Sequence, residues 1–314
     1  MNAKCVNCKG ICLVLGMAFM LLSCRHKDLC YDDVYASDVE VVFDWSEAPE
    51  ARVSSMRVFL YPDGGGNVLT YEFGNMTGGT VRIPGGSYRA ICINSDTESL
   101  LFQNTQQYDG FKIRTPASLM NEILYASLQS KFREAPMPVQ APSDNVYSDR
   151  IDLLTIEAAG RKQSVVFYPK PSFSRYRIKI VNVSNLEHTV QGSITGGLSG
   201  MSEGLFVGKN ELDEDMTIVP FSMDAAESST LTTEFFTLGH AVSDEHKVAV
   251  LVSLGDGQQE CYVFDVTDQV RNAQDKRDIF IQLDGMKLPK PIYNGNGFKP
   301  SVEDWQDVNI PLDM

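Results

Sequence analysis

Apolar and polar residues alternate along much of this chain with the period of two that is typical of a half-buried β-strand. Val39, Val41 and Phe43 share one face of the first such segment. Two further segments, 56–61 and 68–73, are separated by a Pro-Asp-Gly-Gly-Gly turn, which predicts a hairpin. Short strands that recur with turn residues between them predict a β-sandwich in this part of the chain.

A second series of strands begins near residue 164. Tyr176, Ile178 and Ile180 alternate with three basic residues, so one face is predicted to be buried and the other solvated. A surface that recognises charge is the alternative for the basic row. Residues 247–254 are apolar on both faces and predict a central strand, and residues 278–283 predict the last strand of this series.

One stretch, residues 115–133, departs from this pattern. Thr115 is a candidate N-cap and Pro116 suits the first position of a helix. Apolar residues then recur at three- and four-residue spacing: Leu119, Met120, Ile123, Leu124 and Leu128. This spacing predicts a helix inserted between strands.

The N-terminus has the composition of an export signal. Lys4 and Lys9 precede the apolar run 11–22, which is too short to span a bilayer. The run ends in Leu-Leu-Ser-Cys, which resembles the lipobox of bacterial lipoproteins. We therefore predict cleavage after Ser23 and lipidation of Cys24, with an ordinary signal peptide as the alternative.

These patterns divide the chain into five segments. They are a signal peptide that is removed (1–23), a lipidated tether (24–37), an N-terminal β-sandwich domain (38–170), a C-terminal β-sandwich domain (171–292) and a C-terminal tail (293–314). Two proline residues, Pro169 and Pro171, mark the predicted boundary between the sandwiches.

Composition and charge narrow the classes of partner. The chain is 43% hydrophobic and 22% charged, as expected of a folded globular protein. Its net charge is −14, and loss of residues 1–23, which hold two lysines and no acid, leaves −16. This charge argues against nucleic acid as a partner, because phosphates need a basic surface.

The seven cysteines reduce to three candidates for a disulfide. Three cysteines lie in the signal peptide, and Cys24 is the predicted lipid site. Cys30, Cys92 and Cys261 remain, and an exported protein is in a compartment that permits one disulfide among them. The sequence leaves the pairing open. Cys92 and Cys261 lie in apolar strand-like segments, where a buried structural thiol is expected.

Catalytic and metal-binding motifs are absent from the sequence. The chain contains no nucleophile elbow, no zinc-protease helix, no P-loop and no Rossmann glycine pattern. His240 and His246 flank an acidic segment and are interpreted as part of a polar loop, with metal binding as the alternative. The acidic cluster of residues 211–215 lacks the spacing of a calcium loop and is expected to be solvated. We predict a non-enzyme with no metal, no cofactor other than the lipid on Cys24, and no small-molecule substrate.

The C-terminal tail carries an alternating apolar pattern of its own. Val308, Ile310 and Leu312 would share one face of an extended segment. Pro311 cannot donate a ladder hydrogen bond, so such a strand should lie at a sheet edge. Strand exchange with a partner requires a free strand of this kind together with an edge to receive it. The sequence leaves open whether the tail donates or accepts a strand.

Three segments together resemble a family of Bacteroidales lipoproteins of unknown function, itself similar to the fimbrial anchor and minor-subunit lipoproteins of these bacteria. They are Cys24–Asp32, Phe264–Val270 and the ending from Leu288 to Met314. Ile83–Arg89 also resembles the turn-into-strand of the transthyretin-like sandwiches in those anchors. The resemblance implies an all-β fold of two tandem transthyretin-like, Greek-key sandwiches with a short helical insertion.

The resemblance also implies a function. It points to an outer-membrane, surface-exposed lipoprotein that acts as a fimbrial anchor or accessory subunit and contacts pilin-like subunits. Pilins of this type are activated by cleavage after a basic residue, which removes the lipid and the first strand. Arg52 is the candidate here, and because an anchor keeps its lipid we predict no cut at Arg52. The alternative is a surface lipoprotein that binds glycan or a host ligand through exposed aromatic residues, for which Tyr108, Phe111, Tyr147 and Trp305 are candidates.

Overall fold

The computed structural model describes residues 36–129, 135–158, 162–241 and 245–290. Its strands, in chain order, are β1 (Ala36–Phe43), β2 (Met56–Pro62), β3 (Leu69–Phe73), β4 (Gly78–Pro84), β5 (Gly86–Asn94), β6 (Leu101–Gln103), β7 (Lys112–Arg114), β8 (Tyr147–Ile156), β9 (Gln163–Phe167), β10 (Lys170–Pro171), β11 (Ser174–Ser184), β12 (Thr189–Ser202), β13 (Leu205–Phe206), β14 (Glu211–Leu212), β15 (Met216–Ser222), β16 (Asp224–Glu227), β17 (Thr230–Thr237), β18 (Lys247–Leu254), β19 (Gln259–Asp265) and β20 (Asp278–Lys287). The α-helices are α1 (Glu122–Leu128) and α2 (Thr267–Arg271), and short 3-10 helices span Trp45–Glu47 and Leu186–His188.

The first sandwich consists of a three-stranded sheet, β4-β1-β9, packed on a five-stranded sheet, β10-β8-β5-β2-β3. Buried side chains from both sheets, among them Val41, Met56 and Phe167, form its core. The predicted hairpin is confirmed as β2 paired with β3. β4 and β5 are separated only by Gly85 but belong to different sheets, because β4 pairs with β1 whereas β5 pairs with β2 and β8.

The second sandwich packs the sheet β16-β17-β11-β20 on the sheet β15-β12-β18-β19. Tyr176, Ile178 and Ile180 of β11 are buried, as their alternation predicts. β18 lies between β12 and β19, which confirms the central strand predicted from its two apolar faces. In the basic row of β11, Arg175 pairs with Glu234 at 2.6 Å and Arg177 with Asp278 at 3.0 Å, so the row is a salt-bridged outer face.

The two sandwiches share one topological feature. In each, the first strand lies between an antiparallel neighbour and a parallel neighbour: β1 lies between β4 and β9, and β11 lies between β17 and β20. The predicted all-β fold of two tandem sandwiches with a short helical insertion is thereby confirmed. The exact domain limits stay a prediction.

The predicted helix is shorter than expected and begins later. α1 begins at Glu122, and the side chain of Asn121 caps it by accepting a hydrogen bond from Ile123 N at 2.8 Å. The prediction of Thr115 as the N-cap is therefore wrong. The predicted end of the helix, residues 130–133, falls outside the described residues.

Backbone pairing explains the late start of α1. Residues 116–118 lie against residues 139–141 and are joined to them by two backbone hydrogen bonds of 2.9 Å. These bonds require extended backbone, so the residues that satisfy the local capping signal are used in a non-local pairing instead. The helix can begin only where this pairing ends.

The excursion between β5 and β8, residues 95–146, joins the two sandwiches. It contributes β6 and β7 to a small sheet of order β14-β13-β7-β6, in which β13 and β14 come from the second half of the chain. It also places α1 on the second sandwich. Across the described ranges, no helix has the length and apolar character needed to cross a membrane.

Candidate functional site

The strand that follows the predicted lipidation segment is built into the centre of its sheet. Residues 25–35 alone separate Cys24 from the start of β1. β1 is paired on both sides, with β4 and with β9. Its inward residues Val39, Val41 and Phe43 are at most 4% exposed. β1 is therefore an integral part of the first sandwich.

The exit from β1 is fixed by several hydrogen bonds. The N–H of Asp44 donates to the carbonyl of Phe167 at 2.8 Å, and the carboxylate of Asp44 accepts from Ser46 N at 2.9 Å. The indole Nε1 of Trp45 donates to the carbonyl of Met76 at 2.7 Å. These bonds hold the chain close to the sheet as it leaves the strand.

The candidate cleavage residue, Arg52, lies in a segment that is held against the first sandwich. Its neighbours Ala51 and Val53 are 1% and 8% exposed. Its guanidinium donates to the carbonyl of Ala51 at 2.7 Å, and the N–H of Ser54 donates to the carboxylate of Asp96. A protease needs an accessible extended segment on both sides of the scissile bond. The burial of Ala51 and Val53 makes the segment around Arg52 inaccessible in this way.

Two ion pairs cross the junction between the sandwiches at the small sheet. Lys112 Nζ contacts the carboxylate of Asp213, and both side chains are largely buried, with 14% and 13% exposed. Arg114 pairs with Glu203 at 3.4 Å. Burial by itself raises the pKa of Asp213, but the hydrogen bonds from Lys112 and from the backbone N–H groups at 214 and 215 outweigh it and lower that pKa.

Three of the four acids in the cluster 211–215 are exposed, as expected, and Asp213 is the exception. Glu211 and Glu214 are exposed, whereas Asp213 is largely enclosed by its partner. The carboxylates of Asp213, Asp215 and Glu203 lie within 4.8 Å of one another. The sequence does not reveal this arrangement, because the basic partners lie about a hundred residues away in the chain. The charged–apolar–charged pattern of residues 112–114 is the one local feature that indicates a strand with two basic side chains on the same face.

Helix α1 attaches the excursion to the second sandwich. Leu124 and Leu128 are 2% and 1% exposed, and they pack on a sheet surface that includes Ile218 and Leu251. The close approach depends on Gly197, where a Cβ atom would lie 2.6 Å from a methyl carbon of Leu128. The edge strand β15 is covered in part by residues 138–140, which exchange hydrogen bonds of 2.9 and 3.0 Å with Ile218.

An aromatic series spans the connection between β10 and β11. The ring of Phe173 makes edge contacts with Tyr147 of the first sandwich at 5.7 Å and with Phe236 of the second at 5.2 Å. Together with the small sheet and α1, this series gives three separate contacts between the two halves of the chain. A hinge at the connection is therefore opposed by packing on several sides.

His240 and His246, the histidines on either side of the acidic segment between β17 and β18, lie next to each other. The rings of His240 and His246 lie 5.7 Å apart, and Tyr176 Oη is 3.0 Å from His240 Nδ1. His246 is 1% exposed, and its Nδ1 donates to the carbonyl of Ser199 at 3.3 Å. Burial, followed by the charge of His246, lowers the pKa of His240 to about 4, and burial also lowers the pKa of His246.

The loop between β17 and β18 therefore brings together a half-buried histidine, His240, and a buried one, His246, and their lowered pKa values favour the neutral form of both. Among the described residues, the carboxylates of Glu203, Asp213 and Asp215 are close enough together to hold a metal ion. The two histidines are not part of a comparable group of ligands. The absence of a metal remains a prediction.

The cysteines that the structure describes are both free. Cys92 is fully buried, and burial raises the pKa of its thiol well above the usual value. Cys261 is half-buried, with its Sγ 3.5 Å from Ser127 Oγ. They are not bonded to each other, so a disulfide would need Cys30, which lies outside the described residues.

The other predicted site residues also lie outside the described residues, and their roles stay predictions. They are Ser23, Cys24, Val308, Ile310 and Leu312. Trp305 lies outside as well. The expectation of exposed aromatic residues is wrong for Tyr108, Phe111 and Tyr147, which are 4%, 0% and 6% exposed because they pack in the cores at the junction.

Comparison with known proteins places the chain in a family. Residues 23–222 match the family described as domain of unknown function DUF5119. The chain belongs to this family. The match includes β1, α1 and the small sheet β14-β13-β7-β6, whereas His240, His246 and Cys261 lie beyond it.

Three proteins similar to this DUF5119 protein come from Bacteroides species. It is 22% identical over 228 residues to Fim4B of Bacteroides ovatus, named as a fimbrium anchoring subunit, and the match covers 73% of this chain and 64% of Fim4B. A crystal structure described as that of an adhesin from Bacteroides ovatus is similar with a TM-score of 0.60 and 17% identity, over 83% of this chain and 96% of that chain. A structure from Bacteroides thetaiotaomicron, described as polysaccharide binding, is similar with a TM-score of 0.50 and 12% identity, over 79% and 90%. These structural similarities concern the fold.

Proposed function

We propose that this DUF5119 protein is a lipid-anchored fimbrial anchor or accessory subunit of the outer membrane, held by Cys24 and exposed at the cell surface. The observation that carries the proposal is the position of β1, which follows the lipidation segment after a short tether and lies in the middle of its sheet. The lipid would thus be joined to the folded domains through β1, a strand that cannot leave its sheet without disrupting the first sandwich.

The energetic consequence of losing β1 supports retention of the lipid. Removal of this strand would separate β4 from β9 and would expose the core side of Val39, Val41 and Phe43. Burial of each such side chain contributes about 1.5–3 kcal/mol, which is a large part of the stability of a small sandwich. A subunit that matures by shedding its first strand needs a replacement strand, whereas this chain keeps its own.

The junction suits a protein that carries load between a membrane and a fibre. The small sheet, α1 and the aromatic series around Phe173 connect the sandwiches at three places. Domains joined by a single linker rotate readily, and several packed contacts oppose such motion. Force applied at one sandwich would therefore pass to the other without extending a linker.

The relatives and the remaining sequence features agree with this role. Fim4B is named as a fimbrium anchoring subunit, and this chain matches 64% of its length. The proposed partners are pilus subunits, the proposed location is the cell envelope, and the proposed role is assembly and adhesion without catalysis. The tail residues Val308, Ile310 and Leu312 are the proposed contact with the neighbouring subunit.

Two measurements test the proposal. Palmitate labelling in the native host should be lost in Cys24→Ser, whereas Cys30→Ser should label like wild type. Affinity purification of the full chain should recover pilin-like subunits, and deletion of residues 293–314 should abolish that recovery while the protein stays folded. Labelling that persists in Cys24→Ser, or recovery of no fimbrial subunit by the wild-type chain, would refute the proposal.

A further inference from the structure

A cleft with unpaired basic side chains lies where the two sandwiches meet. It consists of two adjoining cavities of about 290 and 310 Å³ that share Asn210 and Arg277. We call it the junction cleft and define it by Arg150, Lys170, Phe173, Asn210, Leu238 and Arg277. Arg150 and Lys170 come from the first sandwich and Arg277 from the second, so the cleft exists only when both are in place.

The charge of the cleft is opposite to that of the chain. The protein has 41 acidic and 27 basic residues, yet Arg150, Lys170 and Arg277 line the smaller cavity with one acid, Asp149. The carboxylate of Asp149 already accepts a hydrogen bond from Tyr168 N at 2.7 Å. Three basic side chains against one acid leave a local excess of positive charge in this cavity.

The basic side chains have N–H groups that remain available to donate hydrogen bonds to a ligand. Arg150 donates to the carbonyl of Gly208 at 2.8 Å, which orients its guanidinium while leaving its other N–H groups free for a ligand. In the part of the chain that the structure describes, the side chains of Lys170 and Arg277 take part in no hydrogen bond or ion pair. Asn210 adds an amide at the point where the cavities meet. A ligand for this wall must be anionic and rich in acceptors.

The larger cavity has a different wall. Phe173, Leu205 and Leu238 line it with apolar side chains, beside Ser172 and Ser174, whose hydroxyls also bond to Ser148 and to the carbonyl of Lys276. A pyranose ring combines an apolar C–H face with hydroxyl groups at its edge and so matches this combination. Small-molecule sites are commonly found at domain interfaces, with volumes of about 300–1,000 Å³.

The strand beside the cleft disfavours an acidic peptide. Extended peptides bind β-proteins mainly by adding a strand to a free edge. The edge strand here is β10, which has only two residues, Lys170 and Pro171. Because Pro171 has no N–H to donate, this edge cannot continue a ladder.

We propose that the junction cleft binds an acidic polysaccharide, with Lys170, Arg277 and Arg150 holding a carboxylate or sulfate group and the Phe173 side holding a sugar face. This site would give the protein a ligand-binding function besides assembly. The proposal does not depend on the fimbrial role, because the cleft is formed by this chain alone.

Calorimetric titration of the full chain in detergent tests the site. The probes are polygalacturonate for carboxylates, heparin for sulfates, dextran as the neutral polymer and poly-L-glutamate as the acidic peptide. We expect saturable binding of polygalacturonate or heparin that weakens with salt, and the stronger of the two identifies the anionic group. The proposal would be overturned if dextran or poly-L-glutamate bound as tightly as the two acidic polysaccharides.

A matched pair of variants locates the binding. The double variant Lys170→Gln/Arg277→Gln removes two exposed charges, so the fold should persist and the affinity should fall about tenfold or more. Lys287→Gln is the control, because Lys287 lies at the opposite end of β20 from Arg277 and is also exposed. Equal affinity of the double variant and wild type, or an equal loss in the control, would also overturn the proposal.

Discussion

The side-chain amide of Gln269 pairs with both backbone groups of Gln282. Gln269 Nε2 donates to the carbonyl of Gln282 at 3.2 Å, and Gln269 Oε1 accepts from its N–H at 2.9 Å. Among the described strands, β20 has a neighbour on one side only, β11, so this amide takes the place of a strand at one ladder position. A blocked edge of this kind opposes uncontrolled pairing with other chains.

We predict that Gln269→Ala opens this edge. Loss of the two hydrogen bonds should lower the free energy of unfolding by about 1–2 kcal/mol and should speed hydrogen exchange of the Gln282 amide. The control is Gln282→Thr, which keeps the backbone groups in place and should leave the protection factor of this amide unchanged. Equal protection of residue 282 in Gln269→Ala and wild type would contradict the prediction.

Two adjacent residues on α1 should respond differently to truncation. Leu124 is 2% exposed and packs on the second sandwich, whereas Ile123 is 43% exposed. Leu124→Ala should lower the free energy of unfolding by about 2–5 kcal/mol, as large-to-small core changes do. Ile123→Ala should change it by about 0.5 kcal/mol or less, as is usual at the surface. Urea denaturation measures both, and similar losses would show that α1 does not dock as described.

The histidine pair should make the protein less stable in mild acid. The pKa of His240 is lowered to about 4 in the folded protein, so between pH 6.5 and 4 the unfolded chain binds a proton that the folded chain does not. Stability therefore falls as the pH falls through this range. His240→Asn retains an acceptor for Tyr176 Oη and should make the melting temperature less dependent on pH there.

His188→Asn serves as the control for that measurement. His188 lies in a 3-10 helix at the surface of the second sandwich and has no part in the buried pair. Its replacement should leave the pH dependence of wild type intact. A melting temperature of His240→Asn that falls with pH as steeply as wild type would show that the pair does not carry the effect.

Arg52 should resist proteolysis in the folded protein. The peptide bonds around it are flanked by the buried residues Ala51 and Val53. Brief trypsin treatment of the native chain should leave β1 attached, as judged by N-terminal sequencing of the core. The same digestion in urea should cut at Arg52, and Arg52→Gln should remove that product. Native cleavage at Arg52 with loss of β1 would favour a subunit that matures by processing.

The strands were largely predictable because the alternation of apolar and polar residues is a local property. Tyr176, Ile178 and Ile180 indicated the buried face of β11, and the two-sided apolar run 247–254 indicated a central strand; the structure confirms both. The start of the helix was not predictable in the same way. Thr115 satisfies a local capping rule, but extended pairing of residues 116–118 with 139–141 takes precedence.

The sequence by itself determined the all-β character, the two series of strands and the segment proposed to carry the lipid, because each of these depends on neighbouring residues. Only the tertiary structure decided the junction. Lys112 contacts Asp213, and Lys170 and Arg277 line the same cleft, although about a hundred residues separate the members of each pair. Such contacts arise when sheets pack, and no periodicity within a strand encodes them.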